Sequence, residues 1–217
     1  MKHILRIFIL FFLLMPVTQA AQPEVAVPPK PQPTSNLFLH LGTLEKSSYL
    51  VVPGDSLYKL AKKYKTTVQV LKKINHIEGN QINSGMKLKI PLVRFSVLIQ
   101  KRKNVFILYG NGKPIKRYRV ATGVEGSTPE GVFKIVNKLE NPTWYKAGAV
   151  VAPESPENIL GSRWLGFNKS GYGIHGTTLP QTIGTQASKG CIRMFNADVE
   201  EIYSVLPIGT RVRVIHG

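Results

Sequence analysis

The stretch SKGCIRM (residues 188–194) contains the single cysteine of the chain, Cys191, and the tripeptide HGT (residues 175–177) begins sixteen residues before that cysteine. A thiol attacks carbonyl groups as the thiolate, so it needs a nearby base to remove its proton. His175 is the candidate base. Glycine at position 190 lets backbone N–H groups approach a developing oxyanion closely. The alternative is a small buried cysteine that packs as a hydrophobic residue, with the histidine in a core elsewhere.

The residues around this pair resemble the signature of the L,D-transpeptidase (YkuD) family, in which a His-Gly segment precedes Ser-x-Gly-Cys-x-Arg. The matching positions are His175, Gly176, Ser188, Gly190, Cys191 and Arg193. The resemblance extends upstream to ATG (121–123) and TPEGVF (128–133), and it covers roughly residues 94 to 215. The chain has Lys189 where the family often has histidine, which changes a loop position but removes no catalytic residue.

The resemblance implies that Cys191 attacks the carbonyl of the third residue of a peptidoglycan stem peptide and expels the terminal D-alanine. The acyl donor is then held as a thioester. His175 would take the thiol proton and later deprotonate the acceptor amine. The backbone carbonyl of Gly176 would orient the imidazole, as happens in similar enzymes.

Three further residues have roles that the residues themselves leave open. The backbone around Gly190 is expected to stabilise the oxyanion. Ser188 is expected to shape the loop, since a serine hydroxyl readily forms hydrogen bonds with nearby backbone groups. Arg193 would bind a substrate carboxylate, although a structural salt bridge is the alternative. Aromatic residues at 144, 145, 164 and 172 would line a pocket or, more commonly for their type, belong to the core.

No metal or cofactor is expected. The five histidines are scattered, and one cysteine with one histidine does not make a zinc site. The chain has no phosphate-binding glycine loop, so no nucleotide cofactor is expected either. The formal net charge of +17 suggests polyanionic surroundings, but no motif of basic and stacking aromatic residues points to nucleic acid.

Residues 1–20 have the features of a secretory signal: Lys2 and Arg6 at the start, a short apolar run over 7–17, and a small-residue cleavage site at 18–20. A retained N-terminal anchor is the alternative, although the apolar run is shorter than the roughly 20 residues of a membrane span. A single unpaired cysteine is unusual outside the cytoplasm, and catalysis would explain it. We therefore expect an extracytoplasmic protein of the periplasm or cell wall.

Residues 21–48 are a predicted linker whose proline-rich core favours extended geometry. Residues 49–91 are predicted to form a βααβ module. Tyr49–Val52 is strand-like, Ser56 can cap one helix and Thr66 or Thr67 a second, and residues 86–91 alternate as a closing strand. The second helix carries Val70, Leu71 and Ile74, which are assigned to the core of this module.

This module resembles a LysM domain, which implies binding to glycans that contain N-acetylglucosamine. By analogy, the glycan groove would lie where the turn of Gly54, Asp55 and Ser56 meets the loop 75–81. Helix capping alone is the alternative explanation for Asp55 and Ser56.

Residues 94–216 are predicted to form a mainly β catalytic domain with one helix, in which Val199, Ile202, Tyr203 and Leu206 recur on one face and Asn196 is a candidate cap. The predicted fold class is therefore α+β, a small βααβ LysM module followed by a mainly β catalytic domain.

The leading interpretation is an enzyme that forms peptidoglycan cross-links, with stem peptides and glycan strands as partners. The alternatives are an L,D-carboxypeptidase or a protein-to-peptidoglycan attachment enzyme of the same fold, and a glycan-binding wall protein with an inactive second domain. The sequence does not decide between a diaminopimelate and a lysine stem, and it leaves the oligomeric state open.

Overall fold

The computed structural model describes residues 37, 41, 44–146 and 148–217. The predicted signal (1–20) and the proline-rich part of the predicted linker lie outside the described residues. Leu37 and Leu41 are helical and fully buried. Within the described part of the chain, no helix has both the length and the apolar character needed to cross a membrane.

The N-terminal module has the predicted βααβ order. Its elements are β1 (Lys46–Leu50), α1 (Leu57–Lys63), α2 (Val68–Asn75) and β2 (Lys87–Pro91), and β1 pairs antiparallel with β2. The two helices begin where the hydroxyl groups of Ser56 and Thr67 accept hydrogen bonds from the N–H groups of Lys59 and Val70. Strand β1 begins three residues earlier than the sequence predicted.

Helix α2 serves two hydrophobic cores. The sequence pattern assigned Val70, Leu71 and Ile74 to the core of the module alone. Leu71 lies there, but Val70 and Ile74 belong to the core of the catalytic domain. The Thr67 hydroxyl also donates to the backbone carbonyl of Ser204, at 2.5 Å. The correction has a simple cause: 3.6-residue periodicity shows which positions are buried, but not which neighbour buries them.

In the described residues, the catalytic domain contains twelve strands, one α-helix and two short 3-10 helices, Val124–Gly126 and Pro180–Thr182. The strands are β3 (Phe95–Gln100), β4 (Val105–Gly110), β5 (Lys113–Arg119), β6 (Thr122–Gly123), β7 (Gly131–Glu140), β8 (Trp144–Lys146), β9 (Ala149–Val151), β10 (Arg163–Phe167), β11 (Gly173–His175), β12 (Gln186–Ser188), β13 (Ile192–Arg193) and β14 (Arg211–Ile215), and the helix is α3 (Asn196–Val205). The α+β fold class predicted from the sequence is confirmed.

Eight of these strands form one sheet in the order β13-β11-β10-β7-β14-β3-β4-β5. Its pairs are antiparallel except for β11 with β13 and β14 with β3. Two small sheets flank it, the parallel pair β6 and β12 and the antiparallel hairpin of β8 and β9. Helix α3 buries Val199, Ile202 and Val205 in the same core as inward-facing residues of the sheet. The edge strand β13 and its neighbour β11 carry the candidate site.

Candidate functional site

His175 lies in a row of side chains that crosses three neighbouring strands. It is paired with Trp164 of β10 on one side and with Arg193 of β13 on the other. Directly paired residues on neighbouring strands point to the same face of a sheet. The imidazole stacks on the indole of Trp164, with ring centroids 6.0 Å apart and planes 20° from parallel. Ile174 and Ile192, which precede His175 and Arg193 in their strands, belong to the core instead.

Cys191 lies next to the same row. It comes two residues before Arg193, just outside strand β13, and the charge of Arg193 affects the pKa of both this thiol and the His175 imidazole. The thiol is half-buried, and it donates a hydrogen bond to the carbonyl oxygen of Gly171 at 3.3 Å. The hydrogen bonds found among the described residues include none between this thiol and the imidazole.

The loop before Cys191 is held by Ser188 and Gly190. The Ser188 hydroxyl accepts from the N–H of Gly190 at 3.1 Å and donates to the carbonyl of Cys191 at 2.6 Å. Gly190 has φ of +122°, and a Cβ atom there would lie 2.7 Å from a ring carbon of Tyr172. Only glycine fits both the backbone angle and the close contact, so this turn is fixed by sterics as well as by hydrogen bonds.

The imidazole of His175 is only 2% exposed, and its Nδ1 lies 2.6 Å from the carbonyl oxygen of Gly176. A carbonyl can only accept a hydrogen bond, so Nδ1 carries the proton in the neutral ring and Nε2 is the basic nitrogen. The backbone carbonyl of Gly176, which was expected to orient the imidazole, therefore contacts it through Nδ1.

Asn196 is a residue of this site whose role the sequence analysis missed. It was a candidate cap for helix α3, but Phe195 occupies the cap position and no side chain bonds there. The Asn196 Oδ1 instead accepts from the N–H groups of Ser162 and Thr177, at 3.2 and 2.9 Å. It lies so close to Gly176 that a side chain on that glycine would collide with it. Asn196 therefore fixes the segment that orients His175.

Arg193 is 4% exposed and has an incomplete set of hydrogen bonds. Its Nη1 donates to the Thr182 hydroxyl at 3.0 Å, but its Nε is buried without a partner. No carboxylate among the described residues forms an ion pair with it, which removes the structural salt bridge as its explanation there. Because a buried guanidinium normally has all its donors paired, the site lacks an acceptor at this position.

Burial shifts the pKa values of the thiol and the imidazole in opposite directions. It lowers the pKa of His175 to about 4, with the Arg193 guanidinium acting in the same direction and the Gly176 carbonyl opposing it. Burial raises the pKa of Cys191, although a backbone hydrogen bond with Gly173 and the charge of Arg193 partly oppose this. At neutral pH the two groups are therefore a neutral thiol and a neutral imidazole.

The remaining aromatic candidates divide between the site and the surface. Tyr172 packs beside Gly190, and Trp164 stacks on His175 as described. Trp144 and Tyr145 lie on the hairpin of β8 and β9, where Tyr145 is 76% exposed, so it is not a core residue. No group of three or more His, Cys, Asp or Glu side chains suited to a metal ion occurs in the part of the chain that the structure describes.

In the module, the side chains of Asp55 and Ser56 have structural partners. Asp55 Oδ2 accepts from the Tyr49 hydroxyl and from the N–H of Val52, and these bonds lower the pKa of its carboxyl group. Ser56 caps α1, and the carbonyl of Gly54 accepts from the Lys59 ammonium at 2.6 Å. A groove of about 630 Å³ borders the loop after α2, but none of its lining residues comes from the 54–56 turn.

Comparison with known proteins identifies the families that the two domains match. Residues 94–214 match the profile of the L,D-transpeptidase catalytic domain (YkuD), and residues 49–91 match that of the LysM domain. A candidate L,D-transpeptidase of Bacillus licheniformis, YkuD, is 35% identical over 174 residues, which span 76% of this chain and 97% of that protein. The candidate L,D-transpeptidase YqjB of Bacillus subtilis is 40% identical over 124 residues, or 54% of this chain and 69% of that protein.

Solved structures of lower similarity also match. An L,D-transpeptidase from Mycobacterium tuberculosis H37Rv superposes with a TM-score of 0.49 at 13% identity, over 62% of this chain and 74% of that chain. The catalytic domain of the E. faecium L,D-transpeptidase gives a TM-score of 0.46 at 23% identity, over 56% of this chain and 96% of that chain.

Proposed function

Because the chain belongs to the L,D-transpeptidase family, we propose that it forms peptidoglycan cross-links through a thioester on Cys191. The observation that supports this proposal is that Arg193 pairs with His175 across β11 and β13 and, two residues after Cys191, acts electrostatically on both the imidazole and the thiol. The imidazole is neutral and its Nδ1 is bonded to Gly176, so Nε2 is available as a base.

The first half of the reaction begins with a change in the thiol. The S–H group leaves the carbonyl of Gly171 by rotation about the Cα–Cβ bond of Cys191, a motion between ordinary rotamers. His175 Nε2 takes the proton, and the sulfur attacks the carbonyl carbon of the third stem residue. The bond to the terminal D-alanine breaks, and its amine leaves with the proton that the imidazole returns. The product is a thioester on Cys191.

The second half uses the same base. The amine of a second stem attacks the thioester carbon, His175 takes its proton, and the thiol of Cys191 recovers a proton as it leaves. In each half, negative charge develops on the carbonyl oxygen. The backbone N–H of Cys191, in the turn at Gly190, would stabilise this charge, since the N–H of Gly190 is bonded to Ser188. Ser188 contributes by holding this turn through its two hydrogen bonds.

Arg193 supplies the recognition of the donor. Its buried Nε donor has no partner, and a carboxylate of the stem peptide would provide the acceptor that the site lacks. The pair would be charge-assisted and largely desolvated, since the guanidinium is almost fully buried. This accounts for a buried arginine that no acidic residue of the described chain neutralises.

The LysM module would hold the enzyme on glycan strands, and the enzyme would act outside the cytoplasm, in the periplasm or cell wall. Its glycan site would use the 54–56 turn through Gly54 and backbone groups, because Asp55 and Ser56 already have structural partners. The predicted signal sequence agrees with this location.

Product analysis tests the proposal. Purified protein is incubated with peptidoglycan, and the products are identified by mass spectrometry after digestion. We expect cross-links between the third residues of two stems, and none with Cys191→Ala. Lys189→Ala is the matched control, since Lys189 is an exposed neighbour in the same loop, and it should keep the activity.

The same assay separates the alternatives. Trimmed stems without cross-links would identify a carboxypeptidase, and stems attached to a protein would identify an attachment enzyme. Turnover by Cys191→Ala would refute the thioester mechanism.

A further inference from the structure

A groove of about 1500 Å³ lies between the LysM module and the catalytic domain. It is bordered by the end of α1, the start of α2, the segment 91–96 and the turn 207–211. It shares no residue with the nucleophile loop (188–194) or with the 54–56 turn. Six of its lining residues are cationic and none is acidic; the cations are Lys62, Lys63, Lys65, Arg94, Lys138 and Arg211.

No acidic residue lines the groove, although Asp55 and Glu140 outside it act electrostatically on Lys63 and Lys138. In the part of the chain that the structure describes, none of the six cations forms an ion pair. Lys138 is the one that is not exposed, and it donates to the backbone carbonyls of Tyr203 and Leu206. The other five are exposed. A concave surface with charges of one sign concentrates ligands of the opposite sign.

Two other features show that the groove is suited to a ligand with polar and apolar parts. Thr66 is 5% exposed, its hydroxyl is buried without a hydrogen-bond partner, and it lines the groove. Such a hydroxyl is costly unless something pairs with it. Tyr58, Leu92 and Ile208 also line the groove and are 70, 48 and 62% exposed, which gives apolar contacts between the cations.

We propose that this groove binds a linear wall polymer whose units are joined by phosphodiester groups. Such a chain carries a negative charge at every linkage and no compensating cation, which matches a surface with six cations and no acid. Stem peptides fit less well, because an acceptor stem also carries a free amine that the groove would repel. A phosphate oxygen would pair with the Thr66 hydroxyl, and the carbon units would contact Tyr58, Leu92 and Ile208. The cell-wall location rests on the proposed function, whereas the charge complementarity does not.

Binding of end-labelled sodium polyphosphate to the full chain, followed by fluorescence anisotropy, tests the proposal without any catalysis. The groove variant is Lys62→Gln, Lys65→Gln, Arg211→Gln. Its matched control is Lys87→Gln, Lys103→Gln, Arg117→Gln, three exposed residues outside the groove. At about 50 mM NaCl we expect a loss of affinity of about tenfold or more for the groove variant. The slope of log K against log salt should fall by about 2, since three phosphate contacts are removed. The control should lose less than about threefold.

Thr66→Val distinguishes a specific binding site from non-specific electrostatic attraction. It removes an unpaired hydroxyl and keeps the shape, so the free protein should be as stable as the wild type or more so, while binding weakens about tenfold. Equal losses in the groove and control variants would overturn the proposal, as would unchanged binding by Thr66→Val. Equally tight binding of polyglutamate of the same charge would refute the assignment to phosphate. Cys191→Ala should bind like the wild type, so failure of this proposal is distinguishable from failure of the proposed reaction.

Discussion

Acidification should destabilise this protein through His175. Burial lowers the pKa of the imidazole to about 4 in the folded chain, whereas the ordinary pKa of histidine is 6.5. Between these two pH values, the unfolded chain binds a proton that the folded chain does not. The contribution of His175 to stability is therefore complete above about pH 6.5 and is lost as the pH falls toward 4.

The size of this effect follows from the gap between the two pKa values. Each pH unit within the gap changes the free energy of unfolding by up to about 1.4 kcal/mol, so the full loss is about 3 kcal/mol. Asp198 on α3 works in the opposite direction, because burial raises the pKa of its carboxyl group to about 6. Its contribution to stability is present in acid and is lost as the pH rises through 6. When only the wild type is measured, this partly cancels the pH dependence of stability that comes from His175.

The difference between the wild type and His175→Gln isolates the imidazole, since glutamine does not titrate and Asp198 is common to both proteins. Urea unfolding at several pH values between about 7.5 and 4.5 should show the wild type losing about 3 kcal/mol relative to the variant as the pH falls. Cys191→Ala is the control and should follow the wild type. A difference that stays constant with pH would mean that His175 is not buried as a neutral base, and the proposed proton transfer would lose its physical basis.

Two further predictions concern residues that connect parts of the fold. Asn196→Ala should slow acylation of Cys191 about a hundredfold, because His175 would be displaced. Asn196→Asp keeps the acceptor oxygen and should retain most of the rate. Equal acylation rates of the two variants across a pH profile would exclude a positioning role for Asn196. Val70→Ala should lower the free energy of unfolding of the whole chain by about 2 kcal/mol, and the exposed neighbour Gln69→Ala by less than about 0.5 kcal/mol; a transition that affects the module alone would contradict the shared core.

The parts of the fold that the sequence predicts correctly are those that depend on local signals. The βααβ order of the module follows from capping residues such as Ser56 and Thr67 and from apolar periodicity, and both act within a few residues. Helix α3 follows from the recurrence of Val199 and Ile202. The candidate site was found because the motif residues are close in sequence and the strands β11 and β13 that carry them are adjacent.

The parts that the sequence could not give depend on contacts between distant segments. The amide oxygen of Asn196 accepts from the N–H groups of Ser162 and Thr177, which lie near the ends of strands β10 and β11. Asparagine can either cap a helix or accept hydrogen bonds from distant backbone groups, so only the tertiary contact distinguishes the two roles. Val70 poses the same problem, because its burial was predictable but its burial partner was not. The unpaired Nε of Arg193 is likewise a property of the folded site.

The opposite shifts in the pKa values of Cys191 and His175 also bear on how a lone thiol would survive in the proposed location outside the cytoplasm. Oxidation and disulfide exchange proceed through the thiolate, so a raised thiol pKa slows both at neutral pH. The same shift would make the enzyme slow if the thiol acted alone. In the proposed mechanism the neutral imidazole would resolve this conflict, because it would accept the proton while the sulfur attacks a bound acyl donor. Reactivity would then depend on a substrate in place, and the buried Arg193 beside the pair gives the site a means to recognise one by its carboxylate.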